Sequence, residues 1–319
     1  MTHGYDSGRL NLPFVGHCTF GKYPAADSWE SLRGAADVAV LGAPFDGGTQ
    51  YRPGARFGPR AVREASTLFA FGHGGAYDFE DDIVYLPADK TKIADAGDAD
   101  IVHTDTEKSH ANIESAVRAI LAAGAVPATI GGDHSVTIPC LRAFDGGAPL
   151  FVVQIDAHLD FVDERHGVRF GHGNPMRRAS EMPHVAGLLQ AGIRNVSSSN
   201  REDYAAARAA GSTILSVRDV RRLGAEKVLA NAPEGGRYYC TLDIDGLDPS
   251  IAPGTGTPSH GGFYYYEVLE LLKGLAKRGE IAGFDVVEVA PAYDPAGVTA
   301  TLAAQLMLNF IGAILHYRG

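Results

Sequence analysis

Short apolar runs alternate with amphipathic stretches along most of the chain. The predicted strands are rich in β-branched or aromatic residues and lie at residues 37–41, 125–130, 149–155, 238–242 and 281–287. Strands of this kind are typical of a parallel sheet that is covered on both faces. Helical periodicity predicts helices at residues 107–123 and 264–278, each followed by a glycine, and a further helix in the uncharged run 298–315. This alternation predicts an α/β fold.

Asp and His residues directly follow three of these predicted strands. The segments are Gly-Gly-Asp-His-Ser at 131–135, Asp-Ala-His-Leu-Asp at 156–160 and Asp-Ile-Asp-Gly-Leu-Asp-Pro at 243–249. Because ligands bind beyond the carboxyl ends of the strands in open α/β sheets, we expect the three segments to meet in one crevice. Alternate residues of an extended chain point to the same side, which groups the side chains within a segment. The candidate metal ligands are therefore His134, Asp156, His158, Asp160, Asp243 and Asp245.

The four carboxylates among these candidates require positive charge nearby, because ionised carboxylates are costly to bury unpaired. Two divalent ions would offset their charge, whereas one ion with six protein ligands would have no position open for substrate. The pattern thus predicts a two-metal site that activates a water molecule. Oxygen ligands with some imidazole favour Mn²⁺ over Zn²⁺. For Asp243 and Asp245 taken alone, the alternative is turn chemistry, in which Asp side chains bond backbone amides.

The three motifs, in this order, resemble the ureohydrolase family, which includes arginase, agmatinase and guanidinobutyrase. The similarity extends from about Gly42 to the C-terminus, and residues 243–258 are similar to the family signature. The resemblance implies a three-layer α/β/α sandwich with a mostly parallel central sheet. The sequence has no internal repeat, low-complexity tract or Pro/Ser linker, so we expect a single domain of residues 1–319, with an N-terminal arm at 1–35 of the kind that often packs on a neighbouring subunit. It also implies hydrolysis of a guanidino group to urea and an amine, and it places the family's metal ligands on the same six residues, where we expect two Mn²⁺ ions.

The same resemblance implies catalytic roles for Asp160, His172 and Glu288. Glu288 matches the glutamate that binds the guanidinium group, and a carboxylate can accept two parallel charge-assisted hydrogen bonds from such a group. His172 matches the histidine that passes a proton to the leaving amine, a role that an ordinary histidine pKa of about 6.5 suits. Thr257 is expected near the substrate carbon. Two other histidines are alternatives for the proton shuttle: His166 and His184.

The loop at residues 161–171 is expected to select the substrate, and it carries charges of both signs. Asp163 and Glu164 would bind the distal ammonium group of agmatine. Arg165 and Arg169 would instead bind the carboxylate of 4-guanidinobutyrate or 3-guanidinopropionate. A solvated loop of mixed charge is the third interpretation.

Residues 49–60 resemble the agmatinase and guanidino-acid branch of the family. We therefore expect hydrolysis of agmatine to putrescine and urea, a step of polyamine biosynthesis, with a guanidino acid as the alternative substrate. Two further alternatives are an amidase or formimino hydrolase on the same scaffold and a non-catalytic metal-binding relative. Glu288 argues against the former, since it suits a planar cationic group, and the complete ligand set argues against the latter.

Composition narrows the range of partners and the compartment. A net charge of −10 disfavours nucleic acid and anionic membranes and suits a small cationic guanidino substrate. Three cysteines are too few for a disulfide scaffold, and residues 1–8 lack the basic start and apolar run of a signal peptide, so we expect a cytoplasmic protein. The run 298–315 is long enough to cross a membrane, but its polar residues favour a buried helix. The resemblance implies a homotrimer or homohexamer.

Overall fold

The computed structural model describes residues 12–70, 75–87, 89–196 and 199–318, and its centre is an eight-stranded sheet. In chain order, the strands are β1 (Val38–Ala43), β2 (Ala76–Asp78), β3 (Ile83–Tyr85), β4 (Ile93–Asp98), β5 (Val126–Gly131), β6 (Leu150–Ile155), β7 (Val185–Ala191), β8 (Thr213–Leu215), β9 (Arg237–Asp243) and β10 (Glu280–Val287). Strands β2 and β3 form a separate antiparallel hairpin. The others pair in parallel in the order β4-β1-β5-β10-β9-β6-β7-β8.

The order of the strands places β5, β10, β9 and β6 next to one another in the middle of the sheet. Since all eight strands are parallel, their carboxyl ends lie at one edge. The three Asp- and His-containing segments and Glu288 follow four adjacent strands and are therefore neighbours in space. The strand order thus creates the crevice that the sequence predicts.

Helices cover both faces of the sheet. They are α1 (Gly58–Ser66), α2 (Thr106–Ala122), α3 (Thr137–Arg142), α4 (Pro175–Ser180), α5 (Arg201–Ala209), α6 (Val217–Leu223), α7 (Ala225–Leu229), α8 (Tyr265–Arg278) and α9 (Val298–Tyr317). Several begin with a side chain that caps the first turn: Asp105 accepts from the Lys108 amide before α2, and Ser216 and Asp219 form a reciprocal capping box at α6.

Alternate residues of the strands belong to two separate hydrophobic clusters. In β6, Val153 and Ile155 pack in a cluster that includes residues of α8 and α9. Leu150 and Val152 pack in a second cluster, which includes residues of α2 and α3. Because successive side chains of a strand point to opposite faces, these clusters fill the two spaces between the sheet and the helices. The predicted three-layer α/β/α sandwich with a parallel central sheet is confirmed.

Helix α9 has the length and apolarity that would suffice to cross a membrane, with a mean hydropathy of 1.8 over its most apolar window. In the fold, 61% of that window is buried. The helix packs against α1 and α8, and the Phe310 ring lies 4.9 Å from that of Phe284 in β10. These contacts are those of a core helix, as the sequence predicts. The expectation that no membrane is involved stays a prediction.

The described part of the predicted N-terminal arm, residues 12–35, packs against its own chain. Phe20 is fully buried, and its amide donates to the Asp95 carboxylate at 2.8 Å. Asp95 also exchanges backbone hydrogen bonds with Pro24 and Ala26. The rest of the predicted arm, residues 1–11, lies outside the described residues, so packing of the arm on a neighbouring subunit stays a prediction.

Candidate metal centre

The candidate ligands lie where β5, β6 and β9 end and the chain leaves the sheet in short turns. His134 begins a 3-10 turn that Asp133 caps by accepting from the Ser135 amide at 2.9 Å. Asp243 ends β9 and caps the next turn by accepting from the Asp245 amide at 2.8 Å. The turn chemistry that the sequence offers as an alternative is therefore present. The hydrogen bond from the Asp245 amide uses Oδ1 of Asp243, and Oδ2 faces the other candidate ligands.

Two overlapping groups of potential ligands share Asp156. Their members are His134, Asp156 and Asp243 in one group and Asp156, His158 and Asp245 in the other. The two oxygens of Asp156 are divided between the groups: Oδ2 lies 3.0 Å from His134 Nδ1, and Oδ1 lies 3.6 Å from His158 Nδ1. Asp160 joins the first group, with Oδ2 2.9 Å from His134 Nδ1. The structure thus brings all six predicted ligands together in a double arrangement that suits two ions.

The environment of His134 is that of a cation ligand. Its Nε2 lies 2.9 Å from the Thr241 hydroxyl, and an imidazole that donates to this hydroxyl from Nε2 keeps a lone pair on Nδ1. Among the described residues, Nδ1 has no hydrogen-bond partner, although it is buried and three carboxylate oxygens lie within 3.1 Å. A polar atom without a partner in such surroundings fits a bound cation.

The second group is built around His158, which is partly exposed. Its Nδ1 lies 3.1 Å from Oδ2 of Asp245. The Thr257 hydroxyl donates to the same oxygen at 2.9 Å, and the Ala157 amide approaches Oδ1 at 3.3 Å. Thr257 therefore orients a ligand of the second group, a contact that the sequence does not reveal.

Burial and mutual repulsion shift the pKa values of the carboxylates. Burial and the charge of Asp156 raise the pKa of Asp160 to about 6. Burial and the charges of Asp245 and Asp156 raise the pKa of Asp243 well above its ordinary value. Burial also opposes ionisation of Asp156, but the two neighbouring imidazoles, His134 and His158, outweigh burial and lower its pKa. Divalent ions would stabilise the ionised form of every carboxylate in the cluster, so the donor set fits them.

Two residues of the site have left-handed backbone conformations although they are not glycine. The φ angle is +52° at Asp160 and +63° at Glu288. Each such residue costs about 1–2 kcal/mol. Backbone hydrogen bonds hold both: the Asp160 carbonyl accepts from the Met176 amide at 3.0 Å, and the Glu288 amide donates to Gly132 at 2.8 Å. The strained conformations turn both carboxylates into the site.

Glu288 is buried and connects the metal centre to His172. Its Oε1 accepts from the His134 backbone amide and from His172 Nδ1, each at 3.0 Å. Among the described residues, no donor reaches Oε2, which leaves this oxygen for a substrate. Burial disfavours the charged form of His172, but Glu288, together with Asp133 and Asp160, raises its pKa to about 9. On its other side, the Gln50 amide lies 3.3 Å from His172 Nε2, which accepts from it when the imidazole is neutral.

A cavity of about 200 Å³ opens at this point. Its lining consists of Gln50, Tyr51, His158, Asp160, His172, Gly173, Asp243, Thr257 and Glu288. The lining includes all three predicted catalytic residues and Thr257. Tyr51 stands 77% exposed at the cavity, so solvent and small molecules can reach it. The two alternative histidines, His166 and His184, do not line the cavity, and His184 Nε2 lies at hydrogen-bond distance, 2.9 Å, from the Leu141 carbonyl.

The four predicted specificity residues occupy different places. Asp163 Oδ1 bonds Arg169 at 2.9 Å and Arg178 at 2.5 Å, and none of these residues lines the cavity. Arg165 Nη1 donates at 2.6 Å to the side chain of Gln50, which does line it. Glu164 is not part of the lining. Arg165 is thus joined to the cavity through one side chain, whereas Asp163 and Arg169 contact one another, Arg178 and Glu181.

The chain is similar to known proteins over most of their length. It matches the Arginase family over residues 36–312. It is 38% identical to the guanidinopropionase of Pseudomonas aeruginosa, over 93% of this chain and 92% of that enzyme. It is 35% identical to the mitochondrial agmatinase of Gallus gallus, over 93% of this chain and 85% of that enzyme.

A solved structure agrees with this similarity. The proclavaminate amidino hydrolase of Streptomyces clavuligerus superposes with a TM-score of 0.84 at 34% identity, covering 96% of this chain and 100% of the other. The chain therefore belongs to the arginase family and is a ureohydrolase, a hydrolase that acts on guanidino compounds.

Proposed function

We propose that this ureohydrolase holds two Mn²⁺ ions and hydrolyses an ω-guanidino acid to urea and the corresponding amino acid. The observation that carries the choice of substrate is the contact between Arg165 and Gln50 at the cavity. This contact joins a guanidinium group to the cavity, where it would attract a carboxylate tail. The acidic alternative, Asp163, is already bonded to two arginines.

The metal ligands would be the six residues of the two groups around Asp156. Divalent ions held there supply Lewis-acid activation of a water molecule at neutral pH. Manganese is proposed because four carboxylates and two imidazoles form a hard, oxygen-rich donor set.

Glu288 would hold the substrate guanidinium through Oε2, because Oε1 already accepts two hydrogen bonds. Water adds to the guanidinium carbon, and the bond from that carbon to the alkyl nitrogen breaks. The departing amine needs a proton at that moment. His172 lies against Glu288 and the cavity, and its raised pKa favours the protonated imidazole near neutral pH, so His172 would supply this proton.

The test is urea release by Mn²⁺-loaded protein on 3-guanidinopropionate, 4-guanidinobutyrate, agmatine and arginine. We expect a guanidino acid to have the highest kcat/KM. Arg165→Gln should lower kcat/KM for the acids and leave agmatine unchanged, and Arg169→Gln serves as the matched control. A preference for agmatine would reject the guanidino acid and favour the polyamine-forming alternative, in line with the similarity to an agmatinase. A cytoplasmic location and a homotrimer or homohexamer remain predictions from the sequence.

A further inference from the structure

A row of buried polar side chains runs from the residue before β8 across β7 and β6 and ends at the metal centre. Gln154 in β6 is the register partner of Gln190 in β7, and Ser212 directly precedes β8. Both glutamines are completely buried, and Ser212 is nearly so. Primary amides are costly to bury in a sheet of aliphatic residues unless their hydrogen bonds are satisfied. The row is therefore stable only if its members bond one another or neighbouring polar groups.

The hydrogen bonds of the row all run in one direction. Ser212 Oγ donates to Gln190 Oε1 at 2.7 Å, and Gln190 Nε2 donates to Gln154 Oε1 at 2.6 Å. Gln154 Nε2 then donates to Oδ2 of Asp156 at 2.6 Å. An ionised carboxylate can only accept, so it fixes the orientation of the first amide, which in turn fixes the second. Hydrogen bonds in such a chain polarise and strengthen one another.

The row ends on the carboxylate that both ligand groups share. Oδ2 of Asp156, which receives the Gln154 bond, is the oxygen that faces His134. Oδ1 accepts from the His158 amide at 2.6 Å and faces the other group. Gln154 and the His158 amide therefore hold the two oxygens separately and fix the plane of the carboxylate.

The two glutamines also hold the backbone of the ligand segment. Gln190 Nε2 donates to the Leu159 carbonyl at 2.7 Å, and Gln154 Nε2 approaches the His158 carbonyl at 3.4 Å. The Leu159 carbonyl directly precedes Asp160, whose backbone is left-handed, and the His158 carbonyl lies one residue earlier. Both amides thus support a segment that carries three predicted ligands and a strained residue.

We propose that Gln154 and Gln190 are positioning residues for the metal centre, which orient Asp156 and the segment 157–160 to receive the two ions. The inference rests on the proposed metal centre and extends it to residues that no ion would touch. Residues that orient metal ligands typically affect affinity by about 10–100-fold. If the row served stability alone, its removal would destabilise the metal-free fold and leave metal affinity unchanged.

The experiment measures Mn²⁺ binding to the full-length, metal-free protein by titration calorimetry, and the thermal stability of the same metal-free samples. Gln154→Met keeps the length and volume of the side chain and removes the donor. Gln190→Met breaks the row one step further away. Gln305→Met, in a half-buried position of α9, is the matched control.

We expect Gln154→Met to weaken the binding of at least one ion by about 10–100-fold and Gln190→Met to weaken it by a smaller factor. The Mn²⁺ affinity of the double variant should fall by less than the product of the two single fold-changes, because both residues act through one chain of hydrogen bonds. Affinities within twofold of wild type in both single variants would overturn the proposal, whatever happens to stability. If Gln154→Met does not fold, Gln190→Met decides alone. A wild-type protein that binds no divalent ion would reject the metal centre itself, and with it this inference.

Discussion

Replacing Glu288 by glutamine tests how the site holds its substrate. The substitution keeps the volume of a side chain that is 2% exposed, and the amide oxygen can still accept from the His134 backbone amide. It removes the negative charge opposite the substrate guanidinium. Loss of one partner from a buried, hydrogen-bonded charge pair costs roughly 2–5 kcal/mol. Taking about 3 kcal/mol, we expect kcat/KM to fall on the order of 150-fold.

The assay is urea release under steady-state conditions, with the manganese content of each sample measured in parallel. Glu288 belongs to neither ligand group around Asp156, so Glu288→Gln should retain its ions. Glu181→Gln is the matched control, because Glu181 forms ion pairs with Arg169, Arg177 and Arg178 and does not line the cavity. If fully metal-loaded Glu288→Gln kept kcat/KM within threefold of wild type, the guanidinium group would have to bind elsewhere. Loss of metal would instead assign Glu288 to the support of the ions.

Two further predictions concern the histidines. His158→Ala should bind one ion fewer, and its kcat should fall by a factor on the order of 100, because the second group loses its imidazole. Metal analysis and urea release measure both effects, with a variant of the exposed His103, His103→Ala, as the control. Full turnover with one ion bound would contradict a two-ion mechanism. His172 should make the stability of the metal-free protein depend on pH. Its pKa rises from 6.5 to about 9 on folding, so its contribution is complete below pH 6.5 and is lost as the pH rises through about 9. Urea unfolding of metal-free protein, measured with a chelator present, should show that the free energy of unfolding declines less for His172→Asn than for wild type as the pH rises from 6.5 to about 9. An equal decline in the two proteins would assign the pH dependence to other groups.

The sequence predicts those parts of the site that depend on one strand and the turn after it. The segments around His134, Asp156 and Asp243 each follow an apolar run, and parallel strands must deliver their carboxyl ends to one edge. The predicted ends of the central strands and of the long helices therefore lie within two residues of the observed ends. Strands β4 and β7 escape prediction because they contain Gly, Asp or Gln, residues with weak strand preference that neighbouring strands and helices override.

The parts that the sequence does not predict depend on contacts between distant residues. Asp163 is one of the residues proposed from the sequence to bind the substrate, and its bond to Arg178, 15 positions away in the chain, has no signal in the sequence. Gln154 and Thr241 lie within predicted strands, and the sequence assigns neither residue a role, although the structure shows that both contact metal ligands. Their partners lie on neighbouring strands or beyond a different strand end. Only strand order decides such pairs, and a periodic pattern contains no information about it.

The left-handed backbone at Asp160 and Glu288 places the site in competition with the stability of the fold. Glycine would adopt these conformations without the steric cost that a β-carbon imposes, so a chain selected for stability alone would favour it at both positions. The carboxylates are needed in the cavity, and the rest of the molecule must keep both residues in an unfavourable conformation. Substitutions that stabilise the protein by relaxing either turn would therefore be expected to reduce its activity. An effort to make this enzyme more robust should begin far from the ends of β6 and β10.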